Sequence, residues 1–145
     1  MKYIAHRGNI FGSNKTLENS IPYIEKAISL GFDVEIDVWS ISNKLYLGHD
    51  KPEYPVEYKT IEEWSDIVWV HCKNLEALNK FSKIKDIESF WHQDDDFTLT
   101  TGNYIWTYPG KEITDNSILV HLTLPSKELQ QSSLFGICSD YVGEI

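Results

Sequence analysis

Val34-Glu35-Ile36-Asp37-Val38-Trp39 alternates apolar with polar or bulky side chains, which predicts a β-strand with two unlike faces. Val34, Ile36 and Val38 need a cover, and a layer of helices supplies one in an α/β protein. Glu35 and Asp37 then share the opposite face, because residues two apart on a strand point the same way. Adjacent carboxylates repel unless one is protonated or a cation bridges them. Burying such a pair uncompensated is costly. On a barrel strand this face is the interior, so the pair points to a divalent ion that favours oxygen ligands, Mg²⁺ or Ca²⁺.

Outward from that strand, the first half of the chain alternates strands with helices. Tyr3-Ile4-Ala5-His6 reads as an opening strand, followed by a polar loop from Gly8 to about Glu18. Ile21, Ile24, Ala27 and Ile28 recur at helical spacing, with Asn19 or Ser20 as the cap, Pro22 in the first turn and Gly31 at the end. Asn43-Lys44 predicts a turn and Leu45–Leu47 a short strand. Residues 51–59 read as a proline- and tyrosine-rich loop, and Thr60 caps a short helix to about Ser65. Ile67 to Val70 predicts a buried strand, with Asn74 capping a helix to about Lys85. Strands follow at 89–92, 104–107, 118–121 and 136–138, with loops at 94–103 and 109–116 and one or two helical turns within 126–133.

Alternation of this kind implies parallel pairing through crossover helices. The connections in the second half are too short and polar for full helices. The expected fold is therefore α/β: a small (β/α) TIM-like barrel with several helices missing or shortened, spanning 1–145 as a single domain. Complete barrels of this type run to roughly 200 residues or more. An open doubly wound sheet is the competing architecture, but no glycine-rich dinucleotide fingerprint supports it.

Composition narrows the function classes. With 41% apolar and 13% aromatic residues the chain can fill a core. A net charge of −9 without a basic block argues against nucleic acid and anionic membranes as partners. No apolar run reaches the ~20 residues of a membrane span, and no secretory signal opens the sequence. Cys72 and Cys138 each lie in an apolar run and read as reduced core thiols of a cytoplasmic protein. An acidic protein that handles a phosphate ester needs a bridging cation.

The histidines add a second line of argument. His6, His71, His92 and His121 each end an expected strand, and His49 follows the Leu45–Leu47 strand. In a parallel barrel those ends converge on the mouth where catalysis occurs, and imidazole is the common proton carrier near neutral pH. Lys73 lies two residues beyond His71, placed to join a cation in cradling a phosphate.

In order along the chain, His6-Arg7-Gly8, Glu18-Asn19-Ser20, Gly31 leading to Glu35-Ile36-Asp37, and Gly48-His49-Asp50 resemble the glycerophosphodiester phosphodiesterases. These belong to the phospholipase C-like phosphodiesterases, which are (β/α) barrels. The resemblance is specific over residues 3–50; Val70-His71-Cys72-Lys73, Trp106-Thr107 and Gly136–Tyr141 match later strands more loosely. It implies hydrolysis of a small phosphodiester, with His6 and His49 as the acid/base pair and Arg7 and Lys73 on the phosphate. Glu35 and Asp37 are the implied metal ligands, joined by His71, which stands where the family usually has a glutamate. Mg²⁺ is the expected ion, with Ca²⁺ or Mn²⁺ as alternatives; an imidazole ligand moves the preference towards softer ions such as Mn²⁺ or Zn²⁺. Glu18, Asn19, His92, Trp106 and His121 are expected to line the site, Trp106 by packing on the alcohol part of the substrate. The chain is shorter than the family norm and lacks the insertion that normally follows the Gly-His-Asp motif.

Two other classes fit the same residues. One is a relative that binds a phosphorylated ligand without cleaving it. The other is a partner-binding domain that uses an aromatic loop, Tyr54 and Tyr58. With so few helices, a homo-oligomer that covers bare strands is a further expectation.

Overall fold

The structure is a computed structural model that describes residues 1–145. Ten strands form one sheet: β1 (Lys2–His6), β2 (Asp33–Ile41), β3 (Lys44–Leu47), β4 (Tyr54–Val56), β5 (Val68–Cys72), β6 (Glu88–Phe90), β7 (Phe97–Leu99), β8 (Ile105–Thr107), β9 (Ser117–Val120) and β10 (Gly136–Ser139). The helices are α1 (Ile21–Ser29), α2 (Tyr58–Glu63), α3 (Leu75–Phe81) and α4 (Lys127–Gln130), and a final 3₁₀ turn spans Val142–Glu144.

A parallel core runs β6-β5-β2-β1-β10-β9-β8, with β7 antiparallel on β8. The β3–β4 hairpin continues along the end of β2. The sheet curls but does not close, so the expected TIM-like barrel is wrong: no strand ladder joins β6 to β7 or β8. The reason lies in residues 91–104. A parallel return needs a dozen or more residues, usually a helix. Here that segment carries the antiparallel β7 instead, within what reads from sequence as the 94–103 loop. The two edges meet only locally: Thr101 N–H donates to the Ser89 carbonyl (2.9 Å), and Phe90 stacks on Trp106 with centroids 4.3 Å apart.

Strands β1 and β5 divide their side chains between two cores. Outside the curl, Val34, Ile36 and Val38 pack under Ile24 and Ala27 of α1, Ile61 of α2, and Ala77 and Phe81 of α3. Fully burying an aliphatic or aromatic side chain of this size contributes about 1.5–3 kcal/mol. Inside, Ile4, Trp69, Phe90, Trp106, Ile118 and Cys138 form a floor. Both cysteines are free and buried. No helix is long and apolar enough to cross a membrane.

Several boundaries differ from the sequence expectation. Residues 54–56 form β4 on the edge of β3, so Tyr54 is not in an open loop; Tyr54 and Tyr58 are half-buried against the outer core. Helix α2 starts after Glu57, not at a Thr60 cap. Asn74 does cap α3, accepting from Ala77 N–H at 3.1 Å, but α3 ends at Phe81. Ser20, not Asn19, is the N-cap residue of α1, without a side-chain bond; the Asn19 side chain is used elsewhere.

Candidate active site

The C-terminal ends of β1, β2, β5 and β10 bring the ionisable residues together. Strand register sets His6 beside Glu35 and Asp37 beside His71. Glu35 and Asp37 are buried on the inner face of β2, Glu35 in register with Trp69 of the apolar floor and Asp37 one pleat above. The ligand atoms of Glu35, Asp37 and His71 all lie within 4.8 Å of one another.

The hydrogen bond of His71 fixes what it presents to that cluster. Its Nε2 lies 2.9 Å from the His92 carbonyl, which can only accept, so Nε2 carries the proton. Nδ1 then faces Asp37 Oδ1 at 3.1 Å and Glu35 Oε1 at 3.7 Å. These contacts attract only if His71 takes a second proton or a cation lies among them. Asp37 Oδ1 is buried with no hydrogen-bond donor, although Lys73 Nζ stands 3.8 Å away. An imidazole whose other nitrogen donates to a backbone carbonyl is the usual arrangement of a metal-bound histidine. Two carboxylates and such an imidazole would fit a divalent cation, and the imidazole moves the preference from Mg²⁺ towards Mn²⁺ or Zn²⁺.

The other oxygen of Asp37 is held from three sides. Asn19 Nδ2 donates to Oδ2 (2.9 Å), Arg7 Nε stands 3.2 Å away and His49 Nδ1 3.4 Å away. Asn19 Oδ1 also accepts from the Asp37 N–H at 3.0 Å, so a residue in reach of the helix-cap position instead clamps β2. Asn19 adopts the left-handed region (φ 63°), as does Arg7 (φ 55°) ahead of Gly8 (φ 85°). That turn folds the chain after β1 back over β2, and Arg7 N–H donates to the Glu35 carbonyl at 3.0 Å. At Gly48, a Cβ would collide with the Lys51 carbonyl, so the turn that presents His49 requires glycine.

The buried acids titrate apart. Burial and the neighbouring Asp37 push Glu35 up. Burial also works against ionising Asp37, but the imidazoles of His49 and His71, with Arg7, hold it well below the usual carboxylate range. His6 donates from Nδ1 to Asp140 Oδ1 (2.8 Å), while its Nε2 lies 4.0 Å from Glu35 Oε2. Burial opposes a charge on His6, yet the bond to Asp140 and the nearby Glu35 raise its pKa above the usual value. Asp140 is lowered in turn: burial opposes its charge, and the His6 bond outweighs it.

Of the residues expected from sequence, His6, Arg7, Glu35, His49, His71, Lys73, His92 and Trp106 line one cleft of about 390 Å³. Glu18 stands behind Arg7, accepting from Nη1 at 3.3 Å, and with Asn19 it lines a neighbouring cleft. His121 is not brought in: Val120 takes the inward position on β9, and the His121 ring instead contacts Thr123 at 3.3 Å. Asp140 and Asn9 escape the sequence reading. Asn9 Nδ2 donates to both Asp140 Oδ1 (2.8 Å) and Glu18 Oε1 (3.0 Å), tying the two carboxylates together. Asp140 follows the Gly136–Ser139 strand, so the strand-end argument used for the histidines reaches it too. No protein-family model matches the chain, and no curated protein matches it.

Proposed function

We propose that the protein is a divalent-metal-dependent phosphodiester hydrolase in which His6 and His49 carry protons to and from the reacting oxygens. The observation that carries the reading is His71: its Nε2 proton is committed to the His92 carbonyl, and its Nδ1 converges with the Glu35 and Asp37 carboxylates. A bound cation there would supply positive charge to a phosphate oxygen and acidify an attacking water.

The chain's own residues account for the rest. Asp140 holds His6 Nδ1, which leaves Nε2 as the working atom at the cleft. The raised pKa of His6 suits a general acid that protonates the leaving alkoxide. His49, more exposed and across Asp37 from His71, suits the base that takes the proton of water. Arg7 and Lys73 offer positive charge to the transferring phosphate. Arg7 is aimed by Glu18 and Asp37, which fixes its guanidinium before substrate arrives. The free, buried Cys72 and Cys138 suit a reducing, cytoplasmic setting.

The test is turnover of a panel of glycerophosphodiesters with Mg²⁺, Mn²⁺ or Ca²⁺. His6→Ala/His49→Ala is expected to lose about 10²–10⁴-fold in kcat, and Glu35→Ala/Asp37→Ala to lose the calorimetric signal of metal binding. Turnover equal in wild type and the histidine double variant would sink the hydrolase reading. Unchanged metal affinity in the carboxylate variant would remove the metal site and leave a ligand-binding protein.

A further inference from the structure

Asn9 is fully buried, one turn after His6, whose carbonyl accepts its N–H at 2.9 Å. Its partners fix the orientation of the side-chain amide. Oδ1 accepts from the Asn14 N–H at 3.2 Å, at the start of the turn that carries Glu18. Nδ2 faces two ionised carboxylates, which only accept, so both of its hydrogens are engaged: one by Glu18 Oε1 at 3.0 Å, the other by Asp140 Oδ1 at 2.8 Å. Each carboxylate also accepts from a residue of the cleft. Glu18 Oε2 takes Arg7 Nη1 at 3.3 Å, and Asp140 Oδ1 takes His6 Nδ1 at 2.8 Å. An unbroken chain of bonds therefore runs Arg7–Glu18–Asn9–Asp140–His6. Its middle member is neutral and holds together two like charges that would otherwise separate. The two ends depend on it unequally. Arg7 has a second anchor in Asp37 at 3.2 Å, whereas His6 Nδ1 bonds to Asp140 alone.

We propose that Asn9 is a positioning residue: its amide holds Asp140 and Glu18 at one spacing and so aims His6 and Arg7 at the same phosphate. This rests on the hydrolase reading above and adds a residue to its machinery. In that reaction the oxygen of water bonds to phosphorus and one P–O ester bond breaks. The electron pair of that bond stays with the alcohol oxygen, which takes the proton from His6 Nε2. Asn9 touches no reacting atom. It acts through Asp140 on the ring that gives this proton, and through Glu18 on the guanidinium that meets the phosphate.

Two diesters test this, each assayed with Mn²⁺: the alkyl glycerophosphodiester that wild type turns over fastest, and its p-nitrophenyl counterpart. A p-nitrophenolate departs without a proton, so its release does not call on a general acid. Asn9→Ala removes hydrogen bonds to charged groups and is expected to lose about tenfold in kcat on the alkyl diester, with a smaller loss on the p-nitrophenyl one. Glu18→Gln keeps the shape of the side chain and reaches His6 only through Asn9. It is expected to show the same bias against the alkyl diester, together with weaker inhibition by inorganic phosphate from the loosened Arg7. It also carries the test if Asn9→Ala does not keep the near-UV spectrum of wild type. Equal losses on the two diesters, in a folded Asn9→Ala or in Glu18→Gln, would leave Asn9 as a staple of its own loop through Asn14. That result overturns the proposal while the hydrolase reading stands. No turnover of either diester by wild type would instead sink the hydrolase reading, and this proposal with it.

Discussion

The inner face of the curled sheet holds two layers, built on the same strands one pleat apart. Ile4 and His6 share β1, Trp69 and His71 share β5, and Asp140 stands two residues beyond Cys138, just past the end of β10. The lower member of each pair belongs to the apolar floor and the upper to the ionisable mouth. The strands that orient the mouth are therefore gripped directly beneath it. What the contrast teaches is a division of labour. The floor contributes stability, whereas the mouth buries Glu35, whose ionisation costs stability until a cation offsets it.

The largest effect expected from breaking this division comes from the floor. Trp69 is buried, packs edge-on against Tyr104 and Phe135, and donates from Nε1 to Asp33 Oδ2 at 3.0 Å. Trp69→Ala is expected to cost about 3–5 kcal/mol of unfolding free energy, read from urea denaturation. Lys2 keeps its 2.9 Å bond to Asp33, so the cost is mainly lost packing. A loss under ~1 kcal/mol would show that the floor does not support the fold, against the measured cost of removing such a side chain elsewhere.

A smaller effect of opposite sign is expected at the mouth. Glu35 has its pKa raised by burial and by Asp37. A carboxyl whose folded pKa exceeds its unfolded value favours folding at low pH, and that contribution is lost as pH rises through the folded pKa. Without metal, wild type should therefore lose stability as pH climbs from about 4.5. Glu35→Gln removes this loss and is expected to raise metal-free stability at pH 7 by about 1 kcal/mol, while abolishing any Mn²⁺-induced rise in Tm. A destabilised Glu35→Gln with an intact Mn²⁺ shift would place Glu35 in the floor's role.

The two layers were unequally legible in the sequence. The alternation over residues 34–39 correctly separates the helix-covered face from the acidic one. Local signals also place α1, with Pro22 in its first turn, and the Asn74 cap of α3. Closure was not legible, because it depends on what bridges β6 and β8. β7 is three residues long with Phe97 and Leu99 exposed, too short and too bare to show a period. His121 was misplaced by one residue of register, and in a strand one residue reverses the face. Asn19 has the chemistry of a cap and spends it on Asp37, a choice set by tertiary contact. The link from His6 to Asp140 spans nearly the whole chain, so no local pattern announces it.

That last link gives the smallest effect and the finest test of the division. Asp140→Asn keeps the shape and can still accept from His6 Nδ1, but removes the charge. The raised pKa of His6 and the lowered pKa of Asp140 reflect one pair. His6 contributes stability below its unfolded pKa and loses it as pH rises through the higher folded value. Asp140 contributes above its unfolded pKa and loses it as pH falls through the lower folded value. The pair is thus strongest between the two unfolded values, about 3.9 and 6.5. Asp140→Asn should lower the His6 pKa, seen by NMR of the imidazole, and cost stability near pH 5 more than near pH 8. If Asp140 serves the mouth, the alkaline limb of the pH–rate profile, which follows a general acid that must stay protonated, moves with the His6 resonance while Trp69 and its neighbours keep their near-UV spectrum. If the near-UV spectrum collapses instead, Asp140 belongs to the floor, which then extends past the end of β10.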